Sequence, residues 1–295
     1  MVANRRNVPI YDNIIGRYIA RFLSRLVKKE RPILTLLSPA KKLNFSPVER
    51  AIEISQPQLQ SDMRAIAAVA KQQSAADLKK LMHISDKLAE LNEERFKVFN
   101  LDGKGNDVKP AGLVFDGDVY WGLDAKSMND DALSYAQNHL RILSGLYGIL
   151  RPMDVIQAYR LEMGTKMANP RGANLYDFWG DIIAKNLNDA LASHDEQVIV
   201  NLASNEYFKA VDQNSLKARV IGANFLNIKD GEARALMYHV KFARGLMARW
   251  IMENRVDRAD GLKDFNAEGY RIDVKLSTPD MLVFSRKQPP VKKSK

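Results

Sequence analysis

Apolar positions along this chain follow two rhythms. From Ile10 to Val27 they recur at three- and four-residue spacing (Ile10, Ile14, Tyr18, Phe22, Leu26), which predicts an amphipathic helix over 10–29. Arg17, Arg21 and Arg25 form a separate basic ridge on it. Glu30-Arg31-Pro32 ends it, because proline disfavours helix at the preceding residue. The rhythm then changes. Ile33-Leu34-Thr35-Leu36-Leu37 is a short apolar run stopped by Ser38-Pro39, the pattern of a buried strand. Residues 48–100 read as helical in pieces. Pro57 interrupts the first, Ser74 with Asp77 forms a capping pair before the next, and Ser85 opens a third. A polar loop over 101–112 follows, then a helix from Asn129-Asp130-Asp131. A further helix is expected over 175–192.

The last third is richer in strands. Gln197 to Leu202 reads as one. Residues 218–228 and 232–239 flank Lys229-Asp230-Gly231, a hairpin turn. A basic helix is expected at 240–256, and 269–276 with 281–285 read as a closing pair of strands. Hairpins among helices imply an α/β (α+β) fold: a single compact domain, a mixed sheet containing antiparallel hairpins, and surrounding helices. No repeat or linker divides 33–285.

Composition narrows the function classes. The 295 residues are 46% hydrophobic, which excludes a wholly disordered chain. Cysteine is absent, so disulfides, thiolate metal sites, cysteine nucleophiles and thiol sensors are excluded. No run of 18 apolar residues exists to span a membrane, and Arg17, Arg21 and Arg25 break up any signal-peptide core, so the cytoplasm is expected. The net charge is +10, which suggests nucleic acid. Its distribution changes that picture. Residues 1–32 carry +6 and residues 286–295 carry +5, leaving −1 for 33–285. The organisation expected is a basic amphipathic extension (1–32), a domain (33–285) and a basic disordered tail (286–295). Local convergence of charge, not its total, has to carry any binding site.

Candidate chemistry is sparse. No dinucleotide or Walker loop is present, and His83, His139, His194 and His239 have no metal-site spacing. Asp116 with Asp118, and Asp177 with Asp181, are close pairs. They read either as metal or acid–base carboxylates or as turn and helix-start residues. The most informative stretch is 139–164, which holds Arg141, Leu143-Ser144-Gly145-Leu146-Tyr147-Gly148, Arg151 and Tyr159-Arg160-Leu161-Glu162. One reading is a helix–hairpin–helix element in which Gly145 and Gly148 let backbone N–H groups approach phosphate. The other is a plain structural turn. The glycines are three apart, where that element usually has them two apart.

These segments resemble the YaaA family of peroxide-stress proteins. The likeness rests on Leu36-Leu37-Ser38-Pro39-Ala40-Lys41, Phe115-Asp116-Gly117-Asp118, the 139–164 stretch, Tyr176-Asp177-Phe178-Trp179, Asn201-Leu202-Ala203-Ser204-Asn205-Glu206-Tyr207, Arg244-Gly245-Leu246-Met247-Ala248-Arg249 and Phe265-Asn266-Ala267-Glu268. The resemblance implies a single α/β domain with a positively charged cleft and a helix–hairpin–helix element. It implies binding to double-stranded and structured DNA with little sequence preference, and protection from iron-driven damage during peroxide stress, with links to DNA repair. It implies no small-molecule cofactor, no metal and no established reaction. Carried onto this chain, the DNA contacts expected are Lys41, Arg141, Gly145, Gly148, Arg151, Arg160, Lys209, Arg244 and Arg249. The alternative is a metal-dependent enzyme acting on damaged nucleic acid through the aspartate pairs. Residues 1–32 lie outside the resemblance.

Overall fold

Leu34–Leu37 is buried along its whole length because it lies in the middle of a sheet. The computed structural model describes residues 33–48, 50–102, 107–192 and 197–290. The helix expected over 10–29, His194 and the last five residues of the tail lie outside the described residues.

After β1 (Leu34–Leu37) come a short β2 (Lys42–Leu43) and an irregular segment, and no described residue from 48 to 59 is helical. Helices α1 (Gln60–Lys71), α2 (Ala75–Met82) and α3 (Asp86–Val98) follow. The start of α2 is set by a reciprocal cap: Ser74 Oγ accepts the Asp77 N–H, and the Asp77 carboxylate accepts the Ser74 N–H. Next are β3 (Lys109–Pro110), α4 (Ala111–Val114), β4 (Phe115–Asp116) and α5 (Asp118–Leu123). Helix α6 (Asp130–His139), capped by the Asn129 side chain, runs straight into β5 (Leu140–Ser144). A turn joins it to β6 (Gly148–Leu150), and β7 (Val155–Ile156) follows.

Two helices, α7 (Leu175–Trp179) and α8 (Ile182–Leu191), occupy the stretch expected to be one. Gly180 breaks it at φ +44°, a conformation that ends a helix. The chain ends with β8 (Val198–Asn201), α9 (Asn205–Phe208), β9 (Arg219–Lys229), β10 (Glu232–Arg234), α10 (Met237–Glu253), β11 (Arg271–Ile272) and β12 (Met281–Lys287). The turn expected at Lys229-Asp230-Gly231 is present, closed by Asp230 at φ 53° and Gly231 at φ 82°, but the strand expected over 232–239 stops at Arg234 because α10 begins at Met237.

The main sheet runs β11-β12-β9-β8-β1-β5-β6, with β10 also on β9. Strands β12, β9, β8, β1 and β5 are mutually parallel, and β11, β10 and β6 add antiparallel hairpins at the margins. This is the mixed α/β sheet expected, with a larger parallel core than the hairpins suggested. Buried parallel strands explain why Leu34–Leu37, Leu140–Ser144 and Val198–Val200 are continuously inaccessible. Helix α10 packs on α5, α6, β1 and β9. At its crossing with α5 two backbones meet: a Cβ on Gly245 would overlap the Val119 carbonyl, and one on Gly122 the Phe242 carbonyl. One apolar cluster runs from Ile33 to Phe284.

Two expectations are corrected by this fold. Residues 139–164 are not a helix–hairpin–helix element: 140–144 and 148–150 are paired strands, and among the described residues no helix lies between 140 and 174. The run Leu-Arg-Ile-Leu-Ser suits a buried strand as well as a helix, and its place beside β1 decides the matter. The second concerns the tail. Arg286 and Lys287 belong to β12. Arg286 is buried, donating to Asn227 Oδ1 (3.1 Å) and stacking 4.4 Å over the Tyr270 ring.

Candidate functional site

The chain leaves β1 toward β5 on one side of the sheet and leaves β8 toward β9 on the other. In open parallel sheets such a reversal leaves a crevice at the carboxyl ends of the two strands, where ligands bind. Here the loops after β1 and β8 meet. Ser38 Oγ accepts the Ser204 N–H (2.8 Å) and lies 3.2 Å from Ser204 Oγ. Tyr120 donates its hydroxyl to the Ser38 carbonyl (3.0 Å). Strand β5 ends alongside, its Ser144 Oγ 2.6 Å from the Tyr159 hydroxyl. Burial pushes the Tyr120, Tyr159 and Tyr207 phenols well up, so all three stay neutral near pH 7.

Around these neutral groups the cations gather. Glu162 Oε1 accepts from Arg160 Nε (3.1 Å) and Nη2 (2.9 Å) and sits 3.1 Å from Lys41 Nζ. Pro39, Ala40, Tyr159, Leu161 and Tyr207 complete the small pocket that these three residues line. Lys41 is 68% exposed. Arg95, from α3, comes in behind; burial, and then the neighbouring Arg160 charge, hold it below the usual arginine value. Two cations thus share one carboxylate, and the charge of one of them, Arg160, acts on a third, Arg95. Lys209 is exposed nearby in the chain, its ammonium 5.0 Å over the Tyr176 ring, while the Tyr176 hydroxyl donates to the Glu206 carbonyl (3.0 Å). Glu206 in turn accepts the Gly164 N–H (3.0 Å).

The other expected contacts lie elsewhere. Arg141 is only 6% exposed, and its Nη1 donates to the carbonyls of Gln137, Asn138 and Leu140, closing the end of α6. Burial, and then the Arg151 charge, lower it to about 10. Arg151 is paired with the buried Asp154 (2.9 Å). Gly145 and Gly148 are both buried. A Cβ on Gly145 would overlap the Leu161 carbonyl. Gly148, at φ +69°, faces Trp179, whose ring would lie 2.6 Å from a Cβ there. These glycines are small so that protein, not phosphate, can approach. Arg244 is partly buried on α10, and burial lowers it. Arg249 braces the end of α5, donating to the Asp124 carbonyl (2.8 Å) and pairing with Glu253 (2.8 Å). Of the nine expected contacts, the structure brings Lys41 and Arg160 together.

The aspartate pairs are likewise occupied. Asp177 accepts from the Ala173 N–H (2.9 Å) and the Asn174 amide (2.8 Å), a helix cap, and Asp181 lies beyond the break at Gly180 and pairs with Lys185 (2.7 Å). Asp116 takes Lys42 (2.6 Å) and the Trp121 indole (2.7 Å), contacts that hold it below the usual carboxylate range. Asp118 lies in the first turn of α5. Among the described residues no group of three or more His, Asp or Glu could hold a metal ion, and no helix is long and apolar enough to cross a membrane.

Arg95 was not legible as a site residue. Its one local clue is that Asn92 and Phe96 of α3 are buried, which turns its stem toward the core.

A mixed α/β protein with a cation-rich crevice at a sheet switch point is the class defined so far. Comparison then gives the family. The model of the peroxide stress protein YaaA family matches residues 33–276, and the chain belongs to that family. It is 49% identical over 257 residues to a UPF0246 protein of Caulobacter vibrioides, an alignment covering 87% of this chain and all of that protein. A UPF0246 protein of Maricaulis maris is 50% identical over 257 residues (87% and 97%), and one of Alteromonas mediterranea is 48% identical over 256 (87% and 99%).

Proposed function

We propose that this member of the peroxide stress family binds DNA without sequence preference, in the cytoplasm, and so limits iron-driven oxidative damage. The observation that carries the reading is the pairing of both Lys41 and Arg160 with the one carboxylate of Glu162, with the Arg160 charge also acting on Arg95. An excess of cations with fixed guanidinium groups suits phosphate, and contacts to phosphate carry no base sequence. The neutral phenols beside it add hydroxyl groups without adding negative charge. Residues 33–285, with Arg286 and Lys287 of β12, form the binding unit in this reading, and the basic stretch at 1–32 and the lysines after β12 raise affinity without defining the site. No chemical step is assigned, since the aspartates offered for one are held in caps and ion pairs.

The test is a salt titration with a duplex of arbitrary sequence. Wild-type affinity should fall steeply with salt. Substituting Lys41→Gln and Arg160→Gln together should lower the log–log slope by about 2, one for each phosphate no longer neutralised. A slope unchanged by the double substitution would place DNA elsewhere.

A further inference from the structure

At the amino end of β5, away from the crevice, a cavity of about 460 Å³ lies between segment 51–55, one face of α6 and the turn at Arg151–Met153. Three kinds of surface meet in it, beside two carboxylates at the rim, Asp130, which is paired with Arg50, and the exposed Glu53. Ile52, Leu133 and Met153 are apolar. Ser134 and Asn138 lie one turn apart on the exposed side of α6, and among the described residues neither side chain has a hydrogen-bond partner. The third surface is the Arg151 guanidinium.

Arg151 is set in place before any ligand arrives. Its Nε and Nη2 donate to Asp154 Oδ1 (3.1 and 2.9 Å), and Nη2 also reaches the Gln56 carbonyl (3.1 Å). Asp154 is 1% exposed and is itself fixed by the Ser55 hydroxyl (2.7 Å) and the Arg151 N–H (2.8 Å). Nη1 of Arg151 bonds to no described residue. Behind the wall, Arg141 is bonded to the carbonyls of Gln137 and Asn138, two of the lining residues. The buried Asp154 carboxylate pairs with Arg151, and its charge also acts on Arg141.

We propose that this cavity binds a nucleoside monophosphate, with phosphate on Arg151, the base against Ile52, Leu133 and Met153, and the base edge on the Asn138 amide. Each part of the ligand answers one surface. An inorganic anion would satisfy Arg151 and leave the aliphatic wall wet. A neutral base would fill the apolar part and leave the Nη1 donor of Arg151 unanswered. The Asn138 amide offers a donor and an acceptor side by side, the pattern that a heterocycle edge pairs with. The volume lies within the range of roughly 300–1,000 Å³ typical of small-molecule sites. The nucleotide can be free or swung out of DNA, the latter being how proteins reach a base that is otherwise stacked. The proposal does not depend on DNA binding at the crevice.

Calorimetry on the full chain at low salt tests it, with the four common nucleoside monophosphates, their nucleosides and inorganic phosphate as titrants. At least one monophosphate should bind saturably, one per chain. Its nucleoside and inorganic phosphate should each bind about tenfold more weakly or not at all. Ser134→Trp, at an exposed helix position, fills the cavity and should abolish binding while Lys41→Gln/Arg160→Gln leaves it intact. Arg151→Gln should abolish it too, and Ser134→Trp keeps the test decisive if loss of the Asp154 partner unfolds that variant. The proposal is overturned if no monophosphate binds, if inorganic phosphate binds as tightly, or if Ser134→Trp has no effect. A duplex carrying 2-aminopurine separates the sources. A fluorescence rise that Ser134→Trp removes assigns the site to a nucleotide of DNA, and DNA binding without that rise assigns it to a free one.

Discussion

Strand β5 has an arginine problem at each end and solves it in two ways. At its amino end Arg141 and Arg151 are drawn inward, the first onto helix carbonyls and the second onto a buried aspartate. At its carboxyl end Arg160 shares Glu162 with Lys41, and Lys41 remains open to solvent. All three arginines come from one stretch of twenty residues with the same look in sequence. Residue type tells where charge is available; packing decides whether a ligand can reach it. A salt bridge can thus be held inside the fold at one end of a strand and lie open to solvent at the other.

The largest effect expected to separate the two ends is one of pH. Four buried phenols, Tyr120, Tyr147, Tyr159 and Tyr207, hold their protons more tightly in the folded chain than in the unfolded one. Their contribution is complete below about pH 10 and is lost above it. Arg141 has the opposite sign: its folded value is lowered to about 10, so raising the pH from there relieves a strain. The phenols outnumber it, and stability should fall, on the order of a few kcal/mol, between pH 9 and pH 11 in urea titrations. Tyr159→Phe should make that fall shallower and Arg141→Met steeper; the reverse order would invert the comparison.

Asp154→Ala comes next. It leaves Arg151 without its buried partner and should cost about 3 kcal/mol, whereas Glu162→Gln at the other end should cost no more than about 1 kcal/mol. Equal costs would show that both ends are scaffold. Gly148→Ala should cost about 2 kcal/mol in thermal unfolding, since it meets the Trp179 ring at a positive φ. If it unfolds no earlier than wild type, the hairpin is looser than described. The smallest effect is on DNA. Glu162→Gln removes the one carboxylate of the cluster and should tighten binding a few-fold at low salt, by about 1 kcal/mol at most. Weaker binding would mean that Glu162 positions Lys41 and Arg160 rather than neutralising them.

Elements governed by local chemistry were legible. The Ser74–Asp77 cap, the Asn129 cap, the Asp230-Gly231 turn and the apolar runs of β1 and β8 are all where the residues alone put them. Elements decided by distant partners were not. Leu140–Ser144 fits either a helix or a strand until β1 lies beside it, and Gly180 ends a helix only by adopting a conformation that the flanking pattern does not announce. The site divides in the same way. Of the nine residues expected to line one cleft, Lys41 and Arg160 share Glu162. Arg95 enters from a helix whose packing joins distant parts of the chain, and Arg141 leaves the surface because the end of α6 needs a donor.

The sheet order sets a timetable for synthesis. Among the described strands β1 is made first, lies inside the sheet, and takes both its neighbours from more than a hundred residues further along, at Leu140 and Ile199. The sheet is completed only when β12, the last strand, pairs with β9. Contacts so distant are slow to form, so the nascent chain carries an apolar strand without a neighbour in the sheet until Leu140–Ser144 is made, and without its second until Val198–Asn201. For a protein needed in a peroxide emergency, the delay before the first working copy includes that wait, and a chaperone that shields Ile33–Leu37 would shorten it.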